Sequence, residues 1–308
     1  MRRIDEFRIF YNHTIHPELA RMERKRKRLL LLLGISSVAM VTMITILLFF
    51  DAAILAFFLL LPFGFHISYL VWRIQQFKTT FKPNVVNLIL DFIDDSVNYG
   101  TLKYDPERKV AKKTFLASQL FKTKAPQYEG EDYIGGKIGE LDFEMCELNV
   151  REYSKVRSRL NYVFNGVFLH ATFHTPIQGK IAIWPREFRQ YLTSTVKAFT
   201  LKGGEEVEEE ILLPDFEKAF MTYATPYTNI TGVLTNDMQH LIVDYRLKTG
   251  KEIYVSFLEE KIYIAITEPK DMLEPFIFQS NVNFELVKEF FEDIYLLMSI
   301  VEDFDKTH

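Results

Sequence analysis

Cysteine is almost missing from this chain of 308 residues. Cys146 stands alone, so no intrachain disulfide can form and no cysteine-based zinc cluster can be built. It lies in an alternating, strand-like run, Phe143-Glu144-Met145-Cys146-Glu147-Leu148, whose acidic members disfavour a thiolate. The residue is read as a small buried side chain. Charge is missing from one long stretch: residues 29–72 contain a single charged group, Asp51. Catalytic signatures are missing as well. There is no G-x-S-x-G elbow, no H-E-x-x-H and no phosphate loop. The nearest approach, Gly136-Lys137-Ile138-Gly139, has Ile138 where a phosphate loop needs Ser or Thr, and is read as a tight lead into a strand.

The charge that is present is unevenly placed. Residues 2–28 carry nine Lys/Arg against four Asp/Glu, and residues 73–82 add three basic groups and no acid. From residue 83 onward, 25 basic and 36 acidic residues leave a net of −11. This split excludes a purely soluble protein, a disordered chain and a general nucleic-acid binder, whose core domain would be basic.

Residues 29–50 (LLLLLGISSVAMVTMITILLFF) are uncharged and about 33 Å long as a helix, enough to cross a bilayer. Residues 52–72 (AAILAFFLLLPFGFHISYLVW) form a second such run. A charge at a bilayer centre costs several kcal/mol, so Asp51 belongs at the far interface, in a tight turn between two antiparallel spans. The first run begins too late, and is too long, for a signal peptide. Both basic flanks, residues 24–28 and Arg73, Lys78 and Lys82, stay cytoplasmic by the positive-inside rule. The expectation is a multi-pass protein with both termini cytoplasmic. Pro62 and Gly64 weaken the second span. His66 within it is either a proton relay or a polar side chain bonding to Ser36, Ser37 or Thr42, and the latter reading is preferred because neither span holds an acid.

Ahead of the membrane, Ile4, Phe7, Tyr11 and Ile15 repeat at helical spacing, with Pro17 expected to interrupt the run and Leu19 and Met22 continuing it. This basic, amphipathic stretch either lies on an anionic lipid surface or packs on its own domain or a neighbouring subunit. Both remain open.

Beyond the membrane, residues 84–99 predict an amphipathic helix with Asp91, Asp94 and Asp95 on a solvated face. Residues 101–128 read as a loop with a helical turn or two, around the apolar run 115–121. Strands are expected at 138–150, 162–173, 180–184, 196–201 and 207–213, the last two around Lys202-Gly203-Gly204-Glu205. Residues 185–191 start a helix, 215–220 form a helical turn, and 236–247 a helix. A hairpin is expected over 252–258 and 261–267, and a long helix over 284–304 with Asn283 as its cap. Runs of strands with helices between pairs predict an α+β fold with a mainly antiparallel sheet. The domain plan is 1–28, a basic N-terminal helix; 29–72, the transmembrane hairpin; 73–128, a juxtamembrane helix and linker; and 129–308, the cytosolic α+β domain.

His170 and His174 lie four apart, but in a strand that spacing is nearly 13 Å, too far for one metal ion. His240 stands alone. The run Glu205-Glu206-Val207-Glu208-Glu209-Glu210 is a solvated face or a dock for a basic partner. Asp215 and Glu217 suit a first helical turn. No residue is assigned a catalytic, cofactor-binding or metal-ligating role.

Taken in order, several motifs resemble one family. Two N-terminal spans precede Tyr133-x-x-Gly136-Lys137-Ile138-Gly139, Phe143 and Glu147-Leu148. Phe164-x-Gly166-Val167-Phe168 and Phe173 follow, then Pro214-Asp215-Phe216-Glu217-x-x-Phe220 and Tyr223. Leu234-Thr235, Met238, Ser256-Phe257 and Tyr263-Ile264-Ala265 complete the order. This is similar to the DUF3137 family of uncharacterised bacterial membrane proteins, over nearly the whole chain. The resemblance implies no reaction, cofactor or site residue. It implies the bacterial inner membrane as location and, because members are sometimes encoded near LemA-type membrane proteins, a membrane-associated partner. His174, where a basic Lys or Arg is expected, and Thr225-Pro226-Tyr227, in place of an acidic turn, depart from the pattern. The functional expectation is a membrane-anchored, non-catalytic interaction or scaffold protein, touching the bilayer through 29–72 and anionic lipid through 24–28, partnered by a LemA-type protein or by its own copy. The contrasting expectation is a membrane-tethered enzyme.

Overall fold

The computed structural model describes residues 2–94, 99–154, 159–173, 176–186, 190–207, 212–268 and 273–307. They fall into two compact units, Met1–Phe92 with Leu273–Glu289, and Ile93–Met272 with Phe290–His308.

The first unit is helical. Arg2–Phe10 (α1), a π-helical turn Tyr11–Ile15 and His16–Phe49 (α2) follow one another without a break. Pro17 does not interrupt the run. It occupies the first turn of α2, where its missing N–H matters least. Asp51 then takes a left-handed backbone (φ 56°), a conformation Asp tolerates better than most residues. Its amide donates to the Leu48 carbonyl at 3.2 Å and that of Ala52 to Leu47 at 2.9 Å, closing the C-terminus of α2. Ala53–Asp94 (α3) begins at once, and Leu29 of α2 meets Leu70 and Ile74 of α3, so the two helices double back on each other.

The amphipathic helix expected from residue 84 is the continuation of α3 through Pro83. An interior proline costs about 3 kcal/mol. Val85, Val86, Ile89, Leu90 and Ile93 are all buried, and that apolar burial offsets the loss. The N-terminal stripe is satisfied within the chain. Phe7 and Tyr11 are buried, with ring centroids 5.3 Å from Phe92 and 5.0 Å from Phe284 respectively. Farther along α2 and α3 the apolar side chains turn outward: Ile54 is 79% exposed and Phe65 75%.

The second unit is one nine-stranded sheet among the described residues. Its strands are Tyr99–Asp105 (β1), Gln127–Ile138 (β2), Leu141–Ser154 (β3), Arg159–Thr172 (β4), Lys180–Pro185 (β5), Glu205–Glu206 (β6), Phe220–Ala224 (β7), Ile253–Leu258 (β8) and Lys261–Thr267 (β9). Their order is β1-β2-β3-β4-β9-β8-β5-β7-β6, and every neighbouring pair is antiparallel. With helices Lys112–Ala117 (α4), Gln190–Thr200 (α5), Pro214–Ala219 (α6), Ile230–Val233 (α7), Asn236–Thr249 (α8) and Phe284–Thr307 (α9), the fold is α+β as expected. The first six residues of α9 belong to the first unit and the rest to the second.

Both sheet faces are apolar and buried. Cys146, Phe168, Ala265, Tyr254 and Trp184 share one face, over which Phe115, Leu120 and Phe121 of the α4 segment and Phe199 of α5 pack. On the other, Val167, Ile264, Val255 and Ile183 are buried. The hairpin over 253–267 has the register its alternation demands, Ile253 opposite Ile266 and Phe257 opposite Ile262.

Three expectations differ. Residues 138–150 are not one strand: β2 ends at Ile138 and β3 begins at Leu141, with Gly139 (φ 59°) in the turn. The expected loop over 101–128 contains β1 and α4. Residues 196–200 are helical, because Leu192, Thr195 and Phe199 bury one helical stripe. The strand expected over 207–213, the helix start at 187–189 and His174 lie partly or wholly outside the described residues.

Candidate functional site

Cross-strand register gathers the titratable side chains of the second unit. Glu144 on β3 stands opposite His170 on β4, and His170 opposite Tyr263 on β9. The His170 Nε2 lies 3.1 Å from Glu144 Oε2, while Glu144 Oε1 accepts from the Tyr133 hydroxyl at 2.8 Å and from Arg108 at 3.1 Å. The Arg108 guanidinium sits 3.8 Å from the Tyr133 ring centroid. Partial burial works against the Glu144 carboxylate, but the hydrogen bonds from Tyr133 and His170 outweigh it and hold its pKa below the usual value. Burial pushes the Tyr133 hydroxyl up to about 12 and holds the His170 imidazole below its ordinary range despite Glu144. A neutral His170 donating from Nε2 leaves Nδ1 as an acceptor, and that atom is buried without a hydrogen-bond partner among the described residues. A carboxylate-oriented imidazole is the arrangement of a general base. Here the ring is only 8% exposed, so no substrate reaches Nδ1 in this conformation.

A second group arises from a bulge in β2 between Glu131 and Ile134. It brings Glu131, Asp132 and Glu147 together, each with a carboxylate oxygen within 4.8 Å of the others. Asp132 also accepts a hydrogen bond from Tyr104. Three acids of this kind set a local negative potential and do not by themselves define a cation site.

The third group is buried. Lys251 lies 2.5 Å from Glu268 and 2.7 Å from Asp293 of α9, and Asp293 accepts from the Tyr245 hydroxyl of α8. Burial, helped by the neighbouring Glu268 charge, pushes Asp293 up to about 6 against the pull of Lys251. Burial also disfavours the Lys251 ammonium, but the two carboxylates outweigh it and raise its pKa. The group ties β8, β9, α8 and α9 together and is structural.

Residues singled out by sequence are dispersed. His66, Asp91 and Asp94 are exposed on α3, and His240 is exposed on α8. Glu205 and Glu206 are exposed at the sheet edge, with Arg186 3.9 Å from Glu206, while Glu208, Glu209, Glu210 and Asp95 lie outside the described residues. Asp215 and Glu217 occupy the first turn of α6 as expected. Cys146 is buried, its thiol pushed up to about 12 by burial, with the Val110 amide 3.2 Å from Sγ. Asn283 caps α9 by accepting from the Glu285 amide at 3.0 Å. Sequence reasoning passed over the Glu144–His170 contact, for which the only signal was that both lie in strands later found adjacent.

The class these features define is a chain with two apolar helices of membrane-spanning length and one antiparallel α+β sheet domain. Residues 162–306 match the family described as "Protein of unknown function (DUF3137)". The motifs at 133–148 and the N-terminal helices precede the matched segment. No curated protein matches the chain. One solved structure, the crystal structure of the mycobacterial trehalose monomycolate transport factor A, TtfA, is 6% identical, with a TM-score of 0.32, and the alignment covers 63% of this chain and 88% of that one. A likeness at that level bears on neither fold nor function.

Proposed function

We propose that the chain is a membrane-anchored, non-catalytic interaction or scaffold protein of the bacterial inner membrane, with both termini cytoplasmic. The outward-facing apolar side chains of α2 and α3 carry this reading, since such a surface is stable only against lipid or another protein. Asp51 at one end of the helix pair, and Arg24, Lys25, Arg28, Arg73 and Lys78 toward the other, suit a hairpin entering from the basic side. Within the basic run 24–28, Arg26 is already bound, 2.6 Å from Glu23 and donating to the Ile277 carbonyl, and Lys27 lies 3.7 Å from Glu23, so anionic lipid falls first to Arg24, Lys25 and Arg28. A LemA-type membrane protein or a second copy of the chain is the partner class. The Glu144–His170 pair favours a second reading, a membrane-tethered enzyme, which requires the sheet face to open at Nδ1.

The test uses the full chain with reporter tags at both termini. The expected result is retention in membranes after alkaline carbonate and protection of both tags from protease added outside the cell. Release by carbonate, or opposite sides for the two tags, overturns the reading.

A further inference from the structure

β3 and β4 outrun their neighbours. The pairing of β2 with β3 ends at Gln127 opposite Arg151, and that of β9 with β4 begins at Gly166. Beyond those points the stretches 152–154 and 159–162 have only each other as sheet partners among the described residues. They form a two-stranded ribbon projecting from the sheet.

The ribbon's chemistry differs from that of the domain around it. Tyr153 and Tyr162 are 55% and 58% exposed, in a unit whose other sheet aromatics are largely buried. The Arg151 guanidinium lies 4.7 Å from the Tyr162 ring centroid. In sequence, residues 151–162 hold four basic residues, of which Lys155 and Arg157 lie outside the described residues, and one acid, Glu152, whose carboxylate accepts from Thr123 at 2.8 Å. The chain from residue 83 onward is otherwise strongly acidic. Exposed tyrosines beside arginines are the side chains that settle at a lipid headgroup layer, where a ring is half apolar and a guanidinium finds phosphate. A basic segment in an otherwise acidic stretch of sequence also selects the sign of its partner.

We propose that this ribbon docks on a lipid surface bearing anionic headgroups. The proposal rests on the membrane-anchored reading, which supplies the bilayer at high local concentration. Acidic protein surfaces share the charge but not the fluid apolar layer that takes up a tyrosine ring.

The test is a nitroxide label on the full-length chain carrying Tyr162→Cys or Tyr153→Cys. Buried Cys146 leaves the new thiol as the reactive one. The chain is reconstituted in vesicles of phosphatidylcholine alone or mixed with phosphatidylglycerol. The expected result is that dissolved oxygen relaxes the label more than a water-soluble nickel complex does in the anionic vesicles, with the order reversed in the neutral ones. Arg151→Gln lowers the docked share about fivefold. A label at Tyr227→Cys, on an exposed turn, reads as water in both. Nickel access at both ribbon positions whatever the lipid, a label shielded from both reagents as at a protein interface, or equal behaviour at residue 227 overturns the proposal while leaving the anchor intact. A chain that fails to float with the vesicles overturns the anchor, and this proposal with it.

Discussion

Phenylalanine is used in opposite ways in the two units. Along α3, Phe57, Phe58 and Phe65 are mostly exposed, whereas Phe143, Phe168 and Phe257 in the sheet are sealed off. Side chains of one kind have one transfer free energy from water, so the difference must lie in what surrounds them. The sheet unit supplies its own apolar environment by stacking strands between helices. The helical unit does so where Phe7, Tyr11, Phe92 and Phe284 meet, along Val85, Val86 and Ile89, and where Leu29 meets Leu70 and Ile74, and leaves the outward faces of α2 and α3 uncovered. One chain thus contains a unit whose apolar side chains are covered by the chain itself and a pair of helices, long and apolar enough to span a membrane, whose apolar side chains are not.

The strongest test of that contrast strikes the sheet's backbone. Gly166 has φ 148°, and a Cβ there would lie 2.0 Å from the Ile266 carbonyl oxygen and 2.5 Å from the Glu268 nitrogen, both main-chain atoms that cannot yield. Gly166→Ala is expected to cost more than about 5 kcal/mol and abolish folding of the second unit, read as loss of the fluorescence of buried Trp184 in a Trp72→Phe background. Retention of a native unfolding transition would contradict the close approach.

Next in size is a matched pair. Phe168→Ala should destabilise the sheet unit by about 4 kcal/mol in denaturant titration, and Phe65→Ala by no more than about 0.5. Equal effects would break the comparison, for they would mean that Phe65 also packs on protein.

Smaller is Lys251→Met, expected to cost about 3 kcal/mol at pH 7 by leaving Asp293 and Glu268 without their cation. The pH dependence follows from Asp293, raised to about 6 by burial. A carboxyl whose folded pKa exceeds its unfolded one favours folding while protonated, and that contribution is lost as pH rises through about 6. That value already includes the pull of Lys251, so in the variant the carboxyl is raised further and its ionisation costs more. The variant should therefore approach native stability below about pH 4 and fall away from it above pH 6. A deficit independent of pH would show that the group is not electrostatic.

What the sequence disclosed, it disclosed through local pattern. The turn at Asp51, the hairpin over 253–267 and the cap at Asn283 each rest on a few consecutive residues whose chemistry admits one geometry. Where tertiary burial overrode a local rule, reading failed. Pro83 should break a helix and does not, because the apolar stripe after it is buried. Residues 196–200 are β-branched and aromatic enough to suggest a strand, yet Leu192, Thr195 and Phe199 find their core only when wound as a helix. The polar groups were less legible still. Glu144 and His170 are 26 positions apart, and nothing in either neighbourhood announces that β3 and β4 align them. Glu131 and Glu147 are cross-strand partners, Asp132 joins them at the bulge in β2, and no spacing rule foretells a bulge.

The chain passes from one unit to the other after Phe92, after Met272 and again after Glu289, the last time within α9, after its sixth residue. Dissection by truncation is therefore hazardous. A fragment beginning near residue 93 keeps every strand, yet it strips the Leu273–Glu289 segment of the helices it packs on, leaving Phe284 without Phe7 and Tyr11. Such a fragment would carry a raw apolar scar, and any stickiness it displayed in a binding assay would report the cut rather than the biology.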